Sequence, residues 1–119
     1  MKVTFTYDRK KDVWCLLNYG KGSMNSKTQT KVYEQLVSVC GENPTEEVAS
    51  HFIDKYTLEN NINLEEYISD YQKDWDKISE EYIKIAEKVF GISLDIEVTA
   101  YLTINNRSPY SIKDNYFFV

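Results

Sequence analysis

Polar and apolar positions along this chain alternate with two different periods. Residues 2–7 read Lys-Val-Thr-Phe-Thr-Tyr, placing Val3, Phe5 and Tyr7 on one side with polar residues between them. That period of two predicts a strand. Asp8-Arg9-Lys10-Lys11-Asp12 reads as a polar turn, and Val13-Trp14-Cys15-Leu16-Leu17 as an apolar run of strand length. A second strand over 13–17, forming a hairpin with the first, is therefore expected, with a helical turn as the alternative. The Gly, Ser and Asn residues of 18–26 read as loop.

A helical period follows. Val32, Leu36 and Val39 or Cys40 predict a helix near 29–40, stopped by Gly41. Asn43-Pro44-Thr45-Glu46 looks like a helix start, with Asn43 as cap and Pro44 at the first helical position. The helix it opens, 44–59, carries Val48, Phe52 and Tyr56 on its inner stripe. Asn63-Leu64-Glu65-Glu66 repeats the capping pattern before a long helix over 64–90. Its apolar positions Leu64, Ile68, Tyr71, Trp75, Ile78, Tyr82, Ile85 and Val89 keep alternating gaps of four and three. Three of them are aromatic, which suits a core helix packed on a sheet better than a two-stranded coiled coil. The seam is expected to be a buried core face with Trp75 at its middle, and an oligomer seam is the second reading.

After Gly91 the period returns to two. Val98, Ala100, Leu102 and Ile104 predict a strand over 98–104, and 115–119 (Asn-Tyr-Phe-Phe-Val) a final one. The expected fold is α+β: a small, mostly antiparallel sheet of strands near 2–7, 98–104 and 115–119, with 13–17 as a further candidate. It packs against helices near 29–40, 44–59 and 64–90.

The length of 119 residues fits one domain over 1–119. With 42% hydrophobic residues, the chain has the material for a core and is not a disordered polymer. No run approaches the ~18 apolar residues of a membrane helix, and the start lacks a signal-like apolar stretch. A cytoplasmic protein without a membrane partner is expected.

Charge adds an asymmetry to the net −5. Residues 1–31 hold seven Lys/Arg against Asp8 and Asp12, while 32–119 hold seven against seventeen Asp/Glu. The basic end is expected to lie against the acidic helices. The other reading, a basic patch for phosphate or nucleic acid, sits poorly with an acidic chain of pI about 4.9, so no nucleic-acid partner is expected.

Candidate chemistry is sparse. Cys15, Cys40 and His51 are the only Cys and His residues, too few and too scattered for a zinc site. The two cysteines read as free thiols, unless helix and strand bring them together. Gly20-Lys21-Gly22-Ser23 lacks the spacing of a phosphate loop. The acidic pairs Glu46/Glu47, Glu65/Glu66 and Glu80/Glu81 read as helix starts and a solvated face. No catalytic residue, metal ligand or cofactor is assigned.

Several segments nevertheless form a recognisable set. They are Asp12-Val13-Trp14-Cys15-Leu16-Leu17-Asn18, Asn43-Pro44-Thr45-Glu46-Glu47, Lys73-Asp74-Trp75-Asp76, Phe90-Gly91-Ile92-Ser93-Leu94, Tyr101-Leu102-Thr103, Asn106-Arg107-Ser108-Pro109-Tyr110 and Asn115-Tyr116-Phe117-Phe118-Val119. In these the chain resembles the N-terminal portion of a family of bacterial proteins predicted to be zincin-like metallopeptidases. Members commonly read Arg-Cys-Pro-Tyr where this chain has Arg107-Ser108-Pro109-Tyr110, and carry an H-E-x-x-H helix that this sequence lacks. The resemblance implies a non-catalytic scaffold whose partner is a C-terminal zinc-binding segment, 1–119 then being the N-terminal part of a longer protein. The alternative is a small interaction module that meets another protein through its basic loop or acidic helices.

Overall fold

The computed structural model describes residues 1–22 and 28–119. Eight elements follow in order: β1 (Lys2–Thr6), α1 (Arg9–Tyr19), α2 (Lys31–Cys40), α3 (Glu46–Glu59), α4 (Leu64–Phe90), β2 (Glu97–Tyr101), β3 (Tyr110–Ser111) and β4 (Tyr116–Phe118). The fold is α+β.

The stretch expected to be a turn and a strand is instead the single helix α1. The Asp8 side chain caps it by accepting from the Lys11 amide at 3.0 Å. The apolar run 13–17 shows no helical period because α1 is covered on several sides. Val13 and Leu16 enter the helical core, Trp14 stacks on Phe118 of the sheet, and Cys15 is fully buried. A run apolar all round does not distinguish a strand from a buried helical turn.

α2 and α3 close on α1. Their shared core contains Val13, Leu16, Val32, Tyr33, Leu36, Ala49, Phe52 and Ile53. Thr30 caps α2 through the Tyr33 amide. The cap of α3 is Thr45, whose hydroxyl accepts from the Val48 amide at 3.2 Å. It is not Asn43, which takes a positive φ of 54° and turns the chain before the helix. The expected cap of α4 is observed: Asn63 Oδ1 accepts from the Glu66 amide at 3.2 Å.

The sheet order is β1-β2-β4-β3. It is mixed rather than mostly antiparallel, since β1 pairs with β2 and β2 with β4 in parallel, and only β3 pairs with β4 antiparallel. The final strand does pair with the 98–104 region, but the link between them folds back as β3. The chain thus re-enters as β4 in the direction of β2, with Asn115 at φ 52° completing the turn. In this register Val3, Phe5, Val98, Ala100 and Phe117 share one face. Tyr101, Tyr116 and Phe118 share the other, where Trp14 and the Lys11 ammonium of α1 cover them.

α4 runs along the outer edge of β1. There the Gln72 side-chain amide behaves like a short strand. Its Oε1 accepts from the Phe5 amide at 3.0 Å, and its Nε2 donates to the Val3 carbonyl at 3.0 Å. This satisfies backbone groups that an open edge leaves unpaired. Tyr71, one position earlier, packs on Phe5 with ring centroids 5.8 Å apart.

The seam of α4 is not the core face expected of it. None of its residues is buried. Trp75 is half-buried beside the start of β1 and meets the Tyr82 ring at 5.5 Å. Beyond it, Ile78, Tyr82, Ile85 and Val89 stand 52–70% exposed. At 1.5 Å per residue the helix is about 40 Å long, while its partner β1 has only five residues. The molecule measures 50 × 33 × 19 Å with a radius of gyration of 16.5 Å, against about 13.5 Å for a globule of this length.

Gln72→Ala should cost about 1–2 kcal/mol by leaving two backbone groups of β1 without their partner. Lys73→Ala, on the outward side, should cost under about 0.5 kcal/mol. Urea unfolding of both variants checks this, with faster amide exchange at Phe5 expected only in the Gln72 variant.

Candidate functional site

Two places in the fold depart from an ordinary core or an ordinary surface. The first is polar and buried. Asp12, fully buried on α1, accepts from the Tyr7 hydroxyl at 2.7 Å, from the Thr103 hydroxyl at 2.6 Å and from the Ile104 amide at 3.3 Å. Tyr7 also accepts from Arg9 Nε, and the Arg9 guanidinium continues to Asp54 of α3 at 2.6 Å and to the Ser50 carbonyl at 2.9 Å. Burial raises the Asp12 pKa, and the donors offset that only in part. Burial and the neighbouring carboxylate push the Tyr7 phenol up, so it stays a hydrogen-bond donor.

Next to this group, Cys15 Sγ lies 3.7 Å from the Arg107 carbonyl and 3.8 Å from Asn105 Nδ2. Burial raises its pKa, which leaves an unreactive thiol. The group borders two clefts: Thr103 and Ile104 line one of about 230 Å³, and Arg9 and Ser50 line another of about 510 Å³. The Asp12 carboxylate itself is fully buried, and its hydrogen bonds tie α1 to the segments after β1 and β2.

The other sequence candidates are dispersed. Cys40 is exposed at the end of α2, and both cysteines are free. His51 is exposed on α3, 4.0 Å from Glu47 one turn away. Among the described residues no three His, Cys, Asp or Glu side chains gather as metal ligands, and no helix is long and apolar enough to cross a membrane. Ser23 of the Gly-Lys-Gly-Ser stretch and Lys27 of the basic end lie outside the described residues. Gly20 has a packing role at the end of α1. A Cβ there would sit 2.3 Å from the Leu16 carbonyl and 2.9 Å from Tyr33 Cβ. A helix C-terminus also presents carbonyl oxygens, the wrong polarity for a phosphate. Arg9 with Asp54 and Lys11 over Tyr116 tie part of the basic end into the fold.

The second place is the open face of α4. Ile78, Tyr82, Ile85 and Val89 form one apolar line, with Phe90 and Ile92 at its end, both exposed. Asp74 and Glu81 flank it on one side, followed by Lys88. Glu80 and Lys84, which pair at 3.2 Å, lie away from the line. An aromatic cleft of about 230 Å³, lined by Tyr56, Tyr67, Tyr71 and Leu102 among others, lies near the other end of the helix. Sequence reasoning located the line of residues but assigned it to the core.

No family model, no curated protein and no solved structure matches this chain.

The pH dependence of Asp12 has a defined sign. Its folded pKa lies above the ordinary 3.8, so the folded state holds this proton more tightly than the unfolded one. The stabilisation is full below the unfolded pKa and is lost as pH rises through the folded pKa. Urea melts of wild type and Asp12→Asn between about pH 3 and 7 should show wild type losing stability relative to the variant as pH rises. A pH-independent difference would show that burial does not dominate at this carboxylate.

Proposed function

We propose that this protein is an interaction module that docks another polypeptide on the open face of α4. The observation that carries the reading is the exposure of Ile78, Tyr82, Ile85 and Val89 on a helix whose first half is anchored to the sheet edge. Isolated apolar residues are ordinary on a protein surface, but a contiguous line of them marks a binding surface. Each side chain leaves on the order of 100 Å² open, so the line reaches the few hundred Å² at which such patches are functional. The fold does not use this surface for its own core, which leaves it free for a partner.

The zincin-scaffold reading rests on the sequence resemblance. Its zinc-binding segment would be one occupant of an interaction face, and its H-E-x-x-H ligands are not in this sequence.

A photo-activatable cross-linking residue in place of Ile85, in the full chain expressed in cells, should give a discrete adduct on irradiation. The same residue in place of Lys73, on the far side of the helix, should give none. Absence of any discrete adduct at position 85 would overturn the reading.

A further inference from the structure

We propose that the polypeptide docking on this face is a second copy of the same chain, its α4 lying antiparallel to the first about a two-fold axis between Tyr82 and Ile85. The inference rests on reading the α4 face as a docking surface and names its occupant.

The spacing is the first argument. Gaps of four and three, kept from Leu64 to Val89, place these residues on a strict 3.5-residue period. Ile83 and Ala86 are half-buried, while Ile78, Tyr82, Ile85 and Val89 form the exposed line, with the spacing that paired helices use as a seam. In the exposed half the positions beside the seam are Ser79 and Ala86 on one flank, and Asp74, Glu81 and Lys88 on the other. Ser79 and Ala86 are both half-buried, Ser79 beside the start of β1, so the charged flank is the one left facing solvent.

Charge then selects the orientation and the register. In an antiparallel pair, residues of the Asp74/Glu81/Lys88 flank face residues of the same flank on the partner. Pairing Tyr82 with Ile85 of the second copy, and Ile78 with its Val89, fills four layers by symmetry. It also sets Glu81 opposite the second copy's Lys88, twice. Sliding one heptad toward the sheets puts Glu81 against Glu81; it also sets Asp74 opposite Lys88, but Asp74 already pairs with Lys77 of its own chain and Trp75, drawn into that interface, lies beside β1. Sliding the other way puts Lys88 against Lys88. A parallel pair sets Glu81 against Ala86 and Asp74 against Ser79, with no opposite charges meeting. Among the described residues neither Glu81 nor Lys88 makes an ion pair within its own chain.

Shape agrees with the same arrangement. The sheet lies beside the first half of α4, where Gln72 grips β1. An antiparallel overlap of the second halves puts the two sheets at opposite ends of the pair, clear of each other. The interface is isologous, so it closes at two copies and leaves no repeating contact. Its area, roughly 500 Å² per copy from the line itself before the flanks are added, falls in the range of weak to standard interfaces.

Sedimentation of the full chain over a range of concentrations tests this. The expected result is a reversible shift from the 14.0 kDa mass to twice that value. Glu81→Lys alone and Lys88→Glu alone should each weaken self-association at least tenfold at low salt, with unchanged circular dichroism. An equimolar mixture of the two variants should restore the dimer, because each Lys then faces a Glu. Orientation is read separately in a Cys40→Ser background. Glu81→Cys mixed with Lys88→Cys should form a disulfide heterodimer on mild oxidation.

A chain monomeric at every concentration, a dimer indifferent to both charge reversals, or no disulfide between positions 81 and 88 would each overturn the proposal. The cross-linking experiment at position 85 separates this from the broader reading. An adduct of twice the chain mass supports self-pairing. A discrete adduct of another mass overturns the second copy as occupant while leaving α4 a docking face.

Discussion

Asp12 sits where α1, the end of β1 and the segment after β2 come together, and its carboxylate accepts hydrogen bonds from the last two. α1 and the two central parallel strands are far apart in sequence: Thr103 is 91 residues from Asp12. A buried hydroxyl or amide left without a partner costs about 1–3 kcal/mol, so these donors hold the carboxylate and the carboxylate holds them. Through Arg9 the same network reaches Asp54 and Ser50 on α3. The helical core and the sheet, each with its own apolar contacts, are joined by this polar group and by the stacking of Trp14 on Phe118. The cost is a charge out of water, which appears as the raised pKa of Asp12.

The second constraint is the length of α4. A sheet whose edge strand has five residues cannot cover a helix of twenty-seven. Gln72 and Tyr71 fix the helix to that edge. The start of β1 reaches Trp75 and Ser79, and the helix outruns the strand beyond them, so the line Ile78, Tyr82, Ile85 and Val89 remains open. This mismatch between two regular elements leaves in solvent a surface that the sequence suggests for a core. It also explains why the molecule is more extended than its length requires.

Much of the fold was legible because its signals are local. The cap at Asn63, the stops at Gly41 and Gly91 and the alternations of 2–7 and 98–104 act over a few residues. α2, α3 and α4 therefore emerge from the sequence with nearly their observed bounds. α1 did not, because burial on several sides erased its period and the polar stretch before it resembled a turn. Asp12 left no signal either. Its donors Tyr7 and Thr103 are identified only when the strands that carry them are in place. In the candidate site, every residue of the α4 line was visible from its spacing, and its exposure was not.

The sequence by itself determined that the fold is α+β, with a long amphipathic helix that carries an apolar seam. Spacing decides which side chains share a face, since helix geometry is the same wherever the helix packs. Only the tertiary structure decided that β4 returns parallel to β2, because the direction of a strand depends on whether the link folds back as β3. Only the tertiary structure, again, divided the α4 seam into a half beside the sheet and a half in solvent. Periodicity records that a face is apolar; what covers it depends on where the neighbouring elements end, and β1 begins beside Trp75 and Ser79, leaving Tyr82, Ile85 and Val89 beyond its reach.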